Sequence, residues 1–419
     1  MTPLQPPSPR LSPLAVVLVL GVTLSISYGT NYYSFGVLAS RMASDFGWPV
    51  TWTFAAFSAA LLAGGAAAPW AGRLVDRFGA PMVLAAGSIL VGIAHAVAAS
   101  GGPIIFVAGL VLGQVAGTMS QYDAGFACLV QVARSDSSRR ITQLTLIAGF
   151  ASSLFWPITT GLGDALGWRG TWMVYAALNV LVCGPLHALL VRALPDRAPK
   201  APAAPQGGTA APVVERPEDP VLPPGLQTRG MLLLAANFSL AGFVLSATLA
   251  QLVPLLHQVG LGESAVLVST LFGPSQVLIR LMTVFVARGH GPMVPTFIAT
   301  ALLPVAVIVL AFSGGMVGWA IVFAMALGFG SGLRSIVQGT LPLALFGRHG
   351  YGARLGRLSS ARLVLGALAP FVFAWMLETV GARASLLVLA AIGLAGVLSM
   401  VEIARLMRLR VTPGDPRNP

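Results

Sequence analysis

One carboxylate and three guanidinium groups stand in stretches that are otherwise almost entirely apolar. Asp123, in SQYDAGFA, lies about eleven residues before the end of its apolar run, which sets it near the middle of a helix that crosses a bilayer. A carboxylate at that depth is costly unless it is paired, hydrated or protonated, and a group that must choose among these can carry a proton. Arg334, in GSGLRSIVQG, lies at a similar depth in a run from the other half of the chain. Its planar fork of donors suits a carboxylate bidentately. If the two runs face one another, Asp123 and Arg334 form a charge pair broken by solute or proton; otherwise Arg334 alone is an anion site. Arg280, in QVLIR, and Arg362, in SSARL, stand a turn or more inside the ends of their runs. Structural roles compete with these: Asp123 bonded to a neighbouring helix, Arg334 capping carbonyls beside its glycines, Arg280 and Arg362 snorkelling to headgroups.

Neutral hydrogen-bonding groups accompany the charges. Tyr28, Asn31 and Tyr32 form a polar patch in the first run that lipid would not tolerate, so it must face a cavity or another helix. With Gln276 they are candidate solute contacts. Gln114, Gln121, Tyr122, Asn237, Gln251 and Gln338 belong to the same class, some of them as plain helix joints. His95, His257 and His349 are isolated and read as structural, and Cys128 and Cys183 lie in separate apolar runs, so neither a metal site nor a disulfide is expected. No Walker loop, GxSxG or HExxH pattern is present, so neither ATP-driven transport nor intramembrane hydrolysis is supported and no cofactor is expected.

What positions these groups is set by composition. Of 419 residues, 56% are hydrophobic and only 9% charged, with mean hydropathy +0.82, too little charge to coat a water-soluble domain of this size. Twelve apolar runs are long enough to span, at about 13–38, 51–71, 81–100, 103–132, 141–163, 171–191, 230–257, 263–287, 292–313, 316–346, 355–379 and 383–407. The reading is an all-α membrane protein of twelve transmembrane helices in two pseudo-symmetric six-helix bundles, 1–191 and 229–408. Residues 192–228, rich in Ala, Pro and Gly, read as a disordered linker, and 409–419 as a polar tail. The net charge of +12 does not form a nucleic-acid stripe. Of the 25 Lys and Arg, 19 fall at the termini and in the even-numbered connections, which places both termini in the cytoplasm. MTPLQPPSPR has no cleavage site, so no signal peptide is expected to be removed.

The connection between the second and third runs is the densely charged turn GRLVDRFGAP. It sets Gly72, Arg73, Asp76, Arg77 and Gly79 within ten residues, with glycines for a tight approach and Asp76 free to accept from helix N-terminal N–H groups, a latch between two helices. The corresponding second-half stretch, RLMTVFVARGHGP, has Arg288 in place of the acid, so the halves should be latched unequally. The first turn resembles the loop between helices 2 and 3 of the major facilitator superfamily of secondary transporters. More finely, Tyr32 to Gly79 is similar to the opening of the monocarboxylate-porter and oxalate/formate-antiporter branch. That resemblance implies two bundles rocking about a central site, with proton or anion coupling. It also implies an acid four residues before the functional Arg of helix 8, where this chain has Gln276 before Arg280. A lysine of the branch's first helix falls near Tyr32. Arg280 and Arg362 match by helix the basic residues of the oxalate branch.

The expectation from sequence is therefore a proton-coupled secondary transporter of a small anionic solute, monomeric, in a bacterial inner membrane. Efflux of a toxic organic compound or metalloid by proton antiport is a competing reading, and a membrane receptor that does not translocate is one of another class.

Overall fold

The computed structural model describes residues 11–133, 136–193, 221–286 and 292–408. The basic turn at Arg134, the second-half turn at Arg288, most of the expected linker and the tail lie outside them. Among the described residues nine helices are long and apolar enough to cross a membrane. Two of these, Leu154–Arg192 and Tyr351–Arg408, each turn back at a glycine with left-handed φ, Gly167 at 67° and Gly381 at 78°, and so supply two crossings apiece. A further crossing is broken into Ser264–Thr270 and Phe272–Val286, pieces too short to count singly. Nine, two and one make twelve.

We number them α1 (Pro13–Phe46), α2 (Val50–Phe78), α3 (Ala80–Ser100), α4 (Pro103–Ser120 with Tyr122–Ala133), α5 (Ser137–Ala148 with 151–166), α6 (168–189), α7 (Pro224–Ala250), α8 (Ser264–Thr270 with Phe272–Val286), α9 (Met293–Ala311), α10 (Val317–Phe346), α11 (351–380) and α12 (382–408). α7 starts six residues before the sequence expectation, because Pro224 occupies its first turn, where a missing N–H costs nothing. Leu222 just before it is fully buried against Leu345 and Phe346. α1 is longer than expected at its far end: it runs on to Phe46 and stops at Gly47, whose φ of 64° ends the helix.

The cores lie mainly within the bundles, though that around Leu20 also takes in Tyr351 and Leu355 of α11. In the first, one forms around Leu20, Leu24 and Phe126, another around Phe35, Phe106 and Trp172; in the second, one surrounds Val307, Phe323 and Phe373. Several of the polar candidates are joints within these cores. Asn31 donates to Gly113 O at 3.0 Å and its own carbonyl accepts from Gln114, tying α1 to α4. Asn237 reaches Gly396 O at 2.9 Å and Thr300, tying α7 to α12 and α9. His95 is buried against Thr30 O and Val91 O, and His187, overlooked in the sequence, bridges Thr23 and Ser88. Cys128 and Cys183 are buried free thiols.

The bundles meet along α2 with α11, α5 with α8 and α10, and α4 with α11. The elements that reach the opposite end, 34–46 and 151–178 of the first bundle, make their substantial contacts within that bundle. The interface therefore runs from mid-depth to the Asp76 end.

Candidate functional site

At the closed end α2 and α11 approach backbone to backbone. Gly72 faces the Gly352 carbonyl, and Gly356 lies against Ala68 and Pro69, where an added Cβ would come within 3.0 Å of Pro69 Cα. This proximity lets Asp76 accept from the backbone N–H of Gly352 at 2.9 Å and of Ala353 at 2.8 Å. Both donors are unpaired first-turn groups of α11, and a carboxylate there also meets the positive end of the helix dipole. Gly79, with φ of 89°, ends α2, and Gln131 of α4 holds the turn by accepting from Ala80 N at 2.8 Å. Arg73 and Arg77 are exposed, and Arg77 lies over the Phe78 ring.

Deeper, α4 breaks at Gln121, whose backbone is extended, and a new segment starts at Tyr122. The sequence carries no Gly or Pro to announce this break, and the run was expected to be continuous. Its effect is to set Asp123 in the first turn of a twelve-residue helix, where free N–H groups favour a negative charge. The carboxylate reaches across the interface. Oδ1 accepts from Gln338 Nε2 of α10 at 3.2 Å, and Oδ2 accepts from Ser359 Oγ of α11. Ser359 in turn accepts from Arg362 Nη2 at 3.3 Å. Asp123 is thus joined to a second-bundle guanidinium, but to Arg362 through a serine hydroxyl and not to Arg334. Ser359 was not singled out in the sequence, where SSAR carries no sign of its partner.

Arg334 donates from Nη2 to Phe238 O of α7 at 3.1 Å, and its Nε is buried without an acceptor. It shares Gly242 of α7 with Arg362: a Cβ there would lie 2.9 Å from Arg334 Nη2 and 3.3 Å from Arg362 Cγ. Arg280, 7% exposed, does not snorkel. Its Nε donates to Ser335 of α10 at 3.2 Å, its Nη1 has no acceptor, and the group fills the space that glycine leaves at Gly149 of α5. Gln276, one turn from Arg280, donates to Ser331 of α10 at 2.7 Å.

Facing these cations from the first bundle are rings. Tyr28 and Tyr122 stand 4.8 Å apart between centroids, and Tyr32 is 44% exposed. Asp123, Gln338, Arg334, Arg362, Tyr28 and Tyr122 are all partly exposed at a depth where lipid could not satisfy them, so they border a polar gap between the bundles. A water-sized cavity of about 10 Å³, lined by Thr118, Asp123, Gly72 and Gly352, lies between the carboxylate and the closed end.

The family model described as Major Facilitator Superfamily matches residues 20–352. The chain belongs to that superfamily. Among solved structures it is similar to the human organic anion transporter MFSD10 (TETRAN), at 18% identity and TM-score 0.70, covering 94% of this chain and 100% of that one. It is also similar to the proton:xylose symporter XylE bound to 6-bromo-6-deoxy-D-glucose, at 12% identity and TM-score 0.67, covering 93% and 95%. At these identities the likeness is one of fold. No curated protein sequence matches the chain. The protein is a multi-pass membrane protein with the architecture of a secondary transporter.

Proposed function

We propose that the protein moves a small organic anion together with a proton by alternating access, with Asp123 as the proton site and Arg362, Arg334 and Arg280 as the anion site. The observation that carries this reading is the charge balance of the gap. Arg334 and Arg362 border the gap with Asp123 as their one carboxylate, and Arg280, buried at Gly149, adds a further positive charge behind them, so positive charge is in excess at mid-depth. Two of their donors, Arg280 Nη1 and Arg334 Nε, are buried with no acceptor. Buried donors in that condition are costly, and an anion removes the cost.

The Ser359 bridge supplies the coupling. With Asp123 ionised, Arg362 is held through Ser359 beside a counter-charge. Protonation of Asp123 removes that charge and leaves all three cations to the solute. Anion binding is therefore stronger when Asp123 is protonated, and by linkage the bound anion favours the protonated form by the same factor. The two travel in the same direction. The Arg and Lys distribution supports a cytoplasmic location for the Asp76 end, with the gap then opening away from the cytoplasm. We place the chain as a monomer in a bacterial inner membrane. The helix 8 and 11 arginines favour the monocarboxylate and oxalate/formate branch, with Asp123 taking the part of its acid.

The test is flux in proteoliposomes under an imposed proton gradient, with a panel of carboxylates and oxyanions, for the wild type and Asp123→Asn. Gradient-driven uptake of an anion that falls to gradient-independent exchange in the variant supports the reading. Equal gradient dependence in both defeats the assignment of Asp123.

A further inference from the structure

We infer that the solute is an aromatic carboxylate, whose ring lies on the tyrosine face of the first bundle while its carboxylate meets the arginines of the second. This deepens the anion reading above and rests on it. Four of the six tyrosines in the chain, Tyr28, Tyr32, Tyr33 and Tyr122, are gathered on α1 and on α4 beside its break. They form one continuous surface: Tyr122 to Tyr28 at 4.8 Å, Tyr28 to Tyr33 at 6.5 Å, Tyr33 to Tyr32 at 5.4 Å between centroids. A packed core would bury such a set completely. Here Tyr32 is 44% exposed and the other three are partly exposed.

The cations lie opposite. Arg362 reaches Asp123, the neighbour of Tyr122 in the chain, through Ser359. Yet none of these guanidinium groups is stacked on a ring; the cation–π contacts among the described residues are at Arg77, Arg169, Arg354 and Arg383. Rings and cations thus border the polar gap between the bundles, the rings on its first-bundle side and Arg334 and Arg362 on its second. A solute that satisfies both walls needs a flat π surface on one side and a carboxylate on the other. Offset and edge-to-face packing on tyrosine favours a benzene ring over a saturated ring of the same size. The rings rest on Phe57, Trp156 and Phe126 behind them, and an inorganic oxyanion or a short aliphatic acid would meet the arginines without using the tyrosine side of the gap.

The experiment is calorimetric titration of the detergent-solubilised full chain with benzoate, cyclohexanecarboxylate, acetate and inorganic phosphate. The expected order places benzoate first, roughly three- to tenfold tighter than cyclohexanecarboxylate. Tyr122→Leu should remove that preference while Tyr122→Phe keeps it, and binding of cyclohexanecarboxylate to the same samples reports that each variant is folded. Should Tyr122→Leu fail to fold, Tyr32→Leu, at the exposed end of the surface, makes the same comparison. Benzoate bound no better than cyclohexanecarboxylate, acetate or phosphate overturns the aromatic assignment and leaves the anion reading intact. Failure of all four to bind defeats the anion reading itself, and this inference with it.

Discussion

Replacing Gly72 by alanine should open the Asp76 end. The new Cβ would lie 2.8 Å from the Gly352 carbonyl carbon and 3.0 Å from Ala353 Cα, and nearer still to the Gly352 oxygen. Carbon atoms in ordinary contact stand about 3.5–4.0 Å apart, so α2 and α11 must separate by about 1 Å. Both neighbours are backbone, and neither can turn aside as a side chain would. A retreat of that size stretches the Asp76 bonds to Gly352 and Ala353 from 2.9 and 2.8 Å to about 3.9 and 3.8 Å, beyond hydrogen-bonding range. Overpacking contributes about 1–3 kcal/mol and the two bonds, discounted because Asp76 is exposed, about 1 kcal/mol together, so the closed arrangement loses roughly 2–4 kcal/mol. The ratio of closed to open molecules then falls by about thirty- to a thousandfold. Spin labels at Arg77 and Arg357, both exposed, measure this as a shift to longer distances, and the two native cysteines, being buried, stay unlabelled. An unchanged distance distribution in Gly72→Ala would refute the reasoning.

Ser359→Ala removes the hydroxyl that joins Asp123 to Arg362, so anion affinity should lose most of its dependence on pH while flux down an anion gradient persists; binding isotherms across the pH range check this. Asp123→Asn should mimic the protonated state and bind the anion at high pH as tightly as the wild type does at low pH. Gly242→Ala places a methyl group 2.9 Å from Arg334 Nη2 and 3.3 Å from Arg362 Cγ, and anion affinity should fall about tenfold with little change in melting temperature. Asn237→Leu removes its bond to Gly396 O, which keeps the one from Ser399 Oγ, in a site 1% exposed, and should cost about 1 kcal/mol, seen as a lower melting temperature with the solute preference unaltered.

Composition and run length made the helical membrane fold legible, because twenty apolar residues in a row admit few other structures. The Asp76 turn was legible for a related reason: glycines and one acid beside a helix end state the contact they can make. Depth read from run length sets Asp123 and Arg334 at a similar level, whereas the structure sets Asp123 against Gln338, one turn along α10 from Arg334. Partnership was not legible. Rotation about the helix axis decides which neighbour a side chain meets, and here it turns Asp123 to Gln338 and Ser359 and Arg334 to a carbonyl of α7. Asn31 and Asn237 have the same composition as solute contacts but face their own bundles. Arg280 illustrates a further limit, since its burial depends on the empty side of Gly149, some 130 residues away in sequence.

At its closest approach the seam between α2 and α11 is backbone against backbone, with Val75, Leu363 and Val364 packed to either side. Gly72, Gly352 and Gly356 present peptide planes to one another, and Ala68 adds only a methyl group. Where peptide planes meet in this way, few rotamers have to change for the two helices to part. The friction against separation is low, and the return path is the reverse of the exit. A seam made of leucines would hold harder and would have to repack at every cycle. On this seam the polar hold is Asp76, while Asp123 and Ser137 make the corresponding bonds from α4 and α5.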